Sequence, residues 1–211
     1  IVDLNNDGGL DILVGSDGKN LVALDKYGNI SWKSAAEITD VMASAAIAKT
    51  NEAGGLRIGV LSSDGTVRCL DQKGALLWDY KQHVDAVQTL APILSLADIN
   101  LDGTPETLIG RNTSLVNNEY YNNELTCLDK SGRYVFWYAM GAPMNAYPVV
   151  VDIRANGTRA VIVGSTDSRA GRFSQLNCFD ASGRTIWRYS VPGGIVQISA
   201  ADINADGQEE V

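Results

Sequence analysis

An all-β fold, a β-propeller of four-stranded antiparallel blades, is predicted by three features of the sequence. A phrase ending in tryptophan recurs four times, an acidic loop recurs between apolar segments, and no stretch shows sustained helical periodicity.

The tryptophan phrase first reads Leu24-Asp25-Lys26-Tyr27-Gly28, then Ile30 and Trp32. It returns as Leu70-Asp71-Gln72-Lys73-Gly74 with Leu76 and Trp78, and as Leu128-Asp129-Lys130-Ser131-Gly132 with Tyr134 and Trp137, one residue longer. The last copy is Phe179-Asp180-Ala181-Ser182-Gly183 with Thr185 and Trp187. All four tryptophans of the chain are assigned this position; their numbers differ by 46, 59 and 50. A propeller blade of four strands takes about 40–50 residues, which this period fits. Within the phrase, Asp opens a tight turn by accepting backbone N–H groups ahead of it, and Gly supplies the positive φ that closes it. Alternating segments on both sides make the turn a hairpin. The tryptophan is expected to lay its large flat surface against the next blade.

Cys69, Cys127 and Cys178 each stand two residues before the turn aspartate, where the first repeat has Ala23. Equivalent strand positions on successive blades lie too far apart for a disulfide, so these are read as small buried hydrophobes. The run from Met42 to Ala48 is rich in small residues and suits an innermost strand crowded at the propeller axis. The repeats are placed at about 1–38, 39–83, 84–141, 142–193 and the start of another at 194–211. All are read as one segment of a larger closed propeller.

The acidic loop precedes the tryptophan phrase. Its best copies are Asp3-Leu4-Asn5-Asn6-Asp7-Gly8-Gly9-Leu10-Asp11, Asp98-Ile99-Asn100-Leu101-Asp102-Gly103-Thr104-Pro105-Glu106 and Asp202-Ile203-Asn204-Ala205-Asp206-Gly207-Gln208-Glu209-Glu210. Oxygen donors at positions 1, 3 and 5 with Gly at 6 form the first half of a calcium loop. An EF-hand would add Glu at position 12, but Val14 and Ile109 stand there and strands follow, so that motif is excluded. A carboxylate at position 9 replaces it: Asp11, Glu106 and Glu210. Backbone carbonyls at position 7 come from Gly9, Thr104 and Gln208. About five protein oxygens per loop leave room for water in a Ca²⁺ shell of six to eight.

The other two loops depart from this pattern. The second repeat aligns Lys49, Asn51, Ala53 and Arg57 with Asp3, Asn5, Asp7 and Asp11, and the fourth aligns Asp152, Arg154, Asn156 and Ala160. Cations have replaced acids, so no calcium is expected there, with Arg57 and Arg154 as built-in counter-charges.

The net charge of −8 follows the same partition. Nine of the 25 acidic residues lie at positions 1, 5 and 9 of the three loops, leaving 16 acids against 17 basic residues elsewhere. Concentrated acid of this kind argues for cation sites, and the absence of a basic excess argues against nucleic acid as a partner. No run of 18 apolar residues is present, so no helical membrane span is predicted. Three cysteines without a CxxC suggest neither a disulfide framework nor a zinc site.

The acidic loops resemble FG-GAP/VCBS repeats, the calcium-bearing blades of integrin α-chain propellers and many secreted bacterial proteins. The Leu-Asp-x-x-Gly-x-x-x-Trp phrase resembles the tryptophan-docking motif of quinoprotein-like propellers, outer-membrane assembly scaffolds among them. By position, the resemblance implies Asp3, Asn5, Asp7 and Asp11, then Asp98, Asn100, Asp102 and Glu106, then Asp202, Asn204, Asp206 and Glu210 as calcium ligands. It also implies an extracellular, cell-surface or periplasmic setting. Asn29, Asn112 and Asn156 head glycosylation sequons, a short pattern that also arises by chance.

Two functions compete. One is a non-catalytic, calcium-stabilised scaffold for adhesion or protein interaction. The other is an enzyme, either a polysaccharide lyase of the rhamnogalacturonan type or a quinone-dependent dehydrogenase, both of which use propellers. The only histidine, His83, has no evident Ser, Cys or Asp partner, and no nucleophile elbow, zinc-protease or phosphate-loop motif is present. The expected contact surface for a protein or carbohydrate ligand is the insertion 111–124, which carries Asn117-Asn118-Glu119-Tyr120-Tyr121-Asn122-Asn123.

Overall fold

The computed structural model describes residues 1–15, 20–35, 37–38, 45–52, 55–62, 64–81, 93–112, 115–116, 119–120, 123–153, 158–167, 169, 173–206 and 208–211. Among these every regular element is a strand. Blade 1 contains β1 (Ile12–Gly15), β2 (Leu21–Leu24) and β3 (Ile30–Lys33). Blade 2 contains β4 (Ala46–Lys49), β5 (Leu56–Leu61), β6 (Thr66–Asp71) and β7 (Leu76–Lys81). Blade 3 is built from β8 (Ile93–Ala97), β9 (Glu106–Arg111), β12 (Glu124–Leu128) and β13 (Tyr134–Ala139), with β10 (Leu115–Val116) and β11 (Glu119–Tyr120) inserted between β9 and β12. Blade 4 contains β14 (Val149–Asp152), β15 (Arg159–Ser165), β16 (Ser174–Asp180) and β17 (Thr185–Val191). Each blade is an antiparallel meander in chain order, three of them four-stranded and the first three-stranded. The predicted order of strand, loop, strand, hairpin, strand, turn and aromatic strand holds in each full blade, with the loop acidic in blade 3.

The position of a strand within its blade decides its burial. β5 and β9 lie between neighbouring blades, β15 lies between blade 3 and a cluster that includes Ile198 and Ala200, and almost every residue in the three is buried. Their near-continuous runs of Val, Ile and Leu match that environment. The outer strands β7, β13 and β17 are half exposed; β7 and β17 carry charged residues there, and β13 carries tyrosines. The cores therefore lie between blades. Leu21, Ala23 and Trp32 of blade 1 pack with Leu56, Ile58 and Leu70 of blade 2. Leu61, Val67 and Trp78 of blade 2 meet Leu94, Ile109 and Leu128 of blade 3. Leu108, Leu125 and Phe136 of blade 3 meet Val161, Val163 and Phe179 of blade 4. Each such aliphatic side chain contributes about 1.5–3 kcal/mol on full burial.

The Asp-x-x-Gly turns have the geometry expected. Asp71 Oδ1 accepts the N–H groups of Lys73 (2.8 Å) and Ala75 (2.9 Å), and Gly74 sits at φ +78°. Asp25, Asp129 and Asp180 repeat the arrangement. The aromatic of the preceding blade closes over the turn. Trp32 Nε1 donates to Gln72 O at 3.0 Å, and a Cβ on Gly74 would stand 2.5 Å from its ring. Trp78 Nε1 donates to Lys130 O at 2.9 Å over Gly132 in the same way.

The third repeat corrects the tryptophan assignment. Ala23, Cys69 and Cys178 pair across the sheet with Trp32, Trp78 and Trp187, but Cys127 pairs with Phe136. Phe136 is buried against Gly183, while Trp137 lies one register further on and is 56% exposed. A bulge after each cysteine or alanine position fixes the docking aromatic seven residues beyond the turn aspartate, and in blade 3 that residue is Phe136. The three cysteines are free and buried, as expected, and burial pushes their thiols up, to about 12 for Cys69 and about 11 for Cys178. Of the predicted inner strand, Ala46–Lys49 forms β4 and residues 42–44 lie outside the described residues.

Candidate functional site

All three acidic loops take one conformation, and their own backbone imposes it. In the blade 3 loop, Asp98 accepts N–H groups from Asp102 (3.1 Å) and Gly103 (2.9 Å). Asn100 Oδ1 accepts from Asp102 N at 2.8 Å, and Asp102 Oδ1 accepts from Thr104 N at 2.9 Å. Asp3, Asn5 and Asp7 hold Asp7, Gly8 and Gly9 in the same pattern. In the last loop, Asp202 and Asn204 accept from Asp206 N, and Asp206 accepts from Gln208 N. The fourth loop residue turns left-handed in every copy: Asn6 at φ 58°, Leu101 at 63° and Ala205 at 61°. Leucine and alanine adopt this region only where surrounding structure enforces it.

The ninth-position acid reaches back across the loop. Asp11 Oδ2 accepts from Leu4 N (2.8 Å), Glu106 Oε2 from Ile99 N (2.9 Å) and Glu210 Oε2 from Ile203 N (2.9 Å). Asn100 and Asn204 donate side-chain amides to Glu106 (2.8 Å) and Glu210 (3.2 Å). Asp11 and Glu106 are buried. Burial, with Asp102 and Asp98 close by, raises the Glu106 carboxyl above its ordinary value despite the hydrogen bonds from Ile99 and Asn100.

A lysine from the same blade's turn faces the fifth-position aspartate in two loops. Lys26 Nζ stands 3.7 Å from Asp7, and Lys130 Nζ 3.6 Å from Asp102. The turns of blades 2 and 4, whose loops depart from the acidic pattern, carry Gln72 and Ala181 at that position. The lysine next to the turn aspartate thus accompanies the acidic loop within this chain, a pattern readable in the sequence. Among the described residues, no three His, Cys, Asp or Glu side chains converge into a group able to hold a metal ion. The loops bring each predicted set onto one short turn, but the carboxylates point to amides and lysines instead of to a shared centre.

The blade 2 loop is fastened to the blade 3 loop. Asn51 N donates to Gly103 O (2.7 Å), and Thr50 Oγ1 donates to the same carbonyl (3.2 Å). Arg57, buried at position 9, pairs with Glu52 at 2.5 Å, and Lys130 bridges Glu52 and Asp102. Arg57 neutralises Glu52, which stands at none of the loop's ligand positions. Similarly, Asp152 N donates to Glu209 Oε2 (2.7 Å), joining blade 4 to the last loop.

Two clefts follow from this stacking. One, of about 490 Å³, is lined by Ile99, Asn100 and Leu101 of the blade 3 loop and by Thr158, Arg159 and Ser182 of blade 4, among others. The other, of about 450 Å³, occupies the matching place between blades 1 and 2, with Asp3, Asn6, Lys49 and Gln72 in its lining.

The insertion forms the small hairpin of β10 and β11, standing on an Arg111–Glu124 pair at 3.1 Å. Asn117, Asn118, Tyr121 and Asn122 lie outside the described residues, as do His83, Arg154 and Asn156. Asn112, head of one sequon, is buried, and its side chain exchanges hydrogen bonds with the Met144 backbone. That asparagine anchors the crossing between blades 3 and 4.

No curated protein matches the chain in sequence. Solved structures match its fold. BBS1N in complex with ARL6DN superposes with a TM-score of 0.59 at 14% identity, over 90% of this chain and 52% of that one. The Dos1 propeller gives 0.57 at 11%, over 86% and 45%. Quinohemoprotein alcohol dehydrogenase from Comamonas testosteroni gives 0.56 at 15%, over 94% and 37%. The chain spans about half the length of these propellers or less, and at such identities the likeness establishes fold alone. In sequence, the model of the family described as outer membrane protein assembly factor BamB matches residues 63–209. That match covers more than two thirds of the 211 residues, and by it the chain belongs to the outer membrane protein assembly factor BamB family.

Proposed function

We propose that these blades form a non-catalytic scaffold, braced by calcium at the loops beginning Asp3, Asp98 and Asp202, that presents surface loops to a protein partner. The family description supports a role in outer-membrane protein assembly, in a periplasmic or outer-membrane setting. One observation carries the calcium part of the reading: a single strained loop conformation, with carboxylates at positions 1, 5 and 9, is built three times in one chain. The likeness of these loops to FG-GAP/VCBS repeats belongs to the same reading.

The donor chemistry fits calcium, since carboxylate, amide and carbonyl oxygens are the hard ligands it takes. The geometry sets a condition: Lys130 must release Asp102 and Lys26 must release Asp7, while the amides of Thr104 and Gly9 can stay on Oδ1. Bound calcium would supply the counter-charge that close carboxylates need. The enzyme alternative gains only the shared fold from the quinohemoprotein likeness.

Melting of the whole chain in chelator and in millimolar calcium tests this reading. At a hundred times Kd, a site selective for the native state adds about 2.7 kcal/mol. For a chain of this size that raises Tm by roughly 5–10 °C. Asp98→Asn and Asp102→Asn are expected to shrink the rise, and Asp152→Asn to leave it intact. Equal loss from Asp152→Asn and Asp98→Asn would count against the assignment of sites, and an unchanged Tm against calcium itself.

A further inference from the structure

In blades 1 and 3 the acidic loop already holds a cation, and it comes from outside the loop. Lys130 Nζ stands 3.6 Å from Asp102 Oδ2, the oxygen left free by the Thr104 amide, which bonds Oδ1. Lys26 Nζ stands 3.7 Å from Asp7 Oδ1, and its stem lies across the loop's seventh position: a Cβ on Gly9 would stand 2.6 Å from Lys26 Cδ. The turns of blades 2 and 4, beside loops that lack the acidic set, have Gln72 and Ala181 in place of the lysine. In the third acidic loop Asp206 takes the Gln208 side-chain amide at 3.4 Å and no ammonium among the described residues.

Carboxylates crowded on one short turn repel one another unless a cation stands among them. Lysine supplies a compact point charge on a flexible stem, so it neutralises without fixing a geometry. Both lysines and both aspartates are half exposed, and ion pairs of that kind are weak and readily broken. The departure of Lys130 strands no acid, because its other partner, Glu52 at 3.5 Å, keeps Arg57 at 2.5 Å.

We propose that Lys26 and Lys130 are resident counter-ions of these loops: each ammonium holds its aspartate while calcium is absent and yields it to the metal, so that the lysine sets how tightly the loop takes calcium. The inference rests on the calcium reading and adds to it the regulation of the same sites. Each lysine weakens calcium binding twice over, by stabilising the metal-free loop and by repelling the dication as it arrives.

The test is calcium titration by heat, with melting in chelator, on the whole chain carrying Asp3→Asn and Asp202→Asn, in which the blade 3 loop alone keeps its acids. Adding Lys130→Gln is expected to tighten calcium roughly fivefold or more, the effect of one charge near 4 Å in water. The same change lowers Tm in chelator and enlarges the rise on adding calcium. Lys130→Arg keeps the charge and binds calcium no tighter than the parent. Lys73→Gln removes an equal charge from the turn of blade 2, whose loop lacks the acidic set, and leaves both readouts unchanged, which separates a local pair from net charge. Equal affinity in the parent and in Lys130→Gln, or equal tightening by Lys73→Gln, would overturn the proposal and leave the calcium reading standing. Heat in Lys130→Gln but none in the parent would support the proposal and overturn calcium as the native occupant of that loop. No heat in either chain would overturn both.

Discussion

Phe136 and Trp137 show how a single register decides what a residue does. Phe136 faces blade 4 and closes over Gly183, while Trp137, next to it, is more than half exposed. Phe136→Ala is expected to cost about 3–4 kcal/mol in urea unfolding, and Trp137→Ala to stay within about 0.5 kcal/mol. The sequence made the docking position legible through the turn aspartate, seven residues before it. The tryptophan itself misled, because residue type is a weaker guide than distance from a fixed turn.

The turn aspartates also carry a pH dependence. At Asp180, burial pushes the carboxyl up, but the Ser182 hydroxyl and the turn amides outweigh it and hold it below the ordinary value of 3.8. At Asp25 the Asn29 side chain lowers it likewise. A depressed carboxyl binds its proton less readily in the folded chain, so its stabilisation is present above pH 3.8 and fades as pH falls through the folded value. Urea unfolding of the native chain and of Asp180→Ser should therefore converge as the pH drops below 3.8; a constant gap would contradict this origin.

Among the elements, loops and turns were the most legible, because their chemistry is local. Asp, Asn and Gly at fixed offsets determine which amides each side chain can reach, and the four turns and three loops follow those offsets. The partners that join one loop to the next were not legible. Glu52, which takes Arg57 and Lys130, belongs to no motif, and Lys130 meets Asp102 only because turn and loop stack in space. Gly103 depends on the same stacking. At φ +85° a side chain there is strained, and its Cβ would stand 2.5 Å from Asn51. Gly103→Ala is expected to destabilise by about 1–3 kcal/mol, measured by urea unfolding. Relief of that cost by Asn51→Ala in the same chain would locate it at the junction between blades.

At the scale of the whole molecule, stability resides between blades. Each apolar cluster that joins two blades draws on the middle strand of each, so each blade depends on its neighbours. Stability of such an array approximates a sum of nearest-neighbour terms, and a loop that ties adjacent blades strengthens one of those terms directly. Calcium at the blade 3 loop would act at such a junction, where Gly103, Asn51, Lys130 and Glu52 already meet. The propeller architecture was visible in the sequence because its period repeats four times. The direction of the acidic side chains was not, since the same donors satisfy either backbone amides or a cation.

Isothermal titration of calcium into the chelator-treated whole chain decides between those two states. A calcium-braced scaffold predicts saturable heat that vanishes in an Asp3→Asn, Asp98→Asn, Asp202→Asn triple variant and persists in Asp152→Asn. Absence of heat in the native chain, with the amide-bonded loops equally stable in calcium and in chelator, would contradict it.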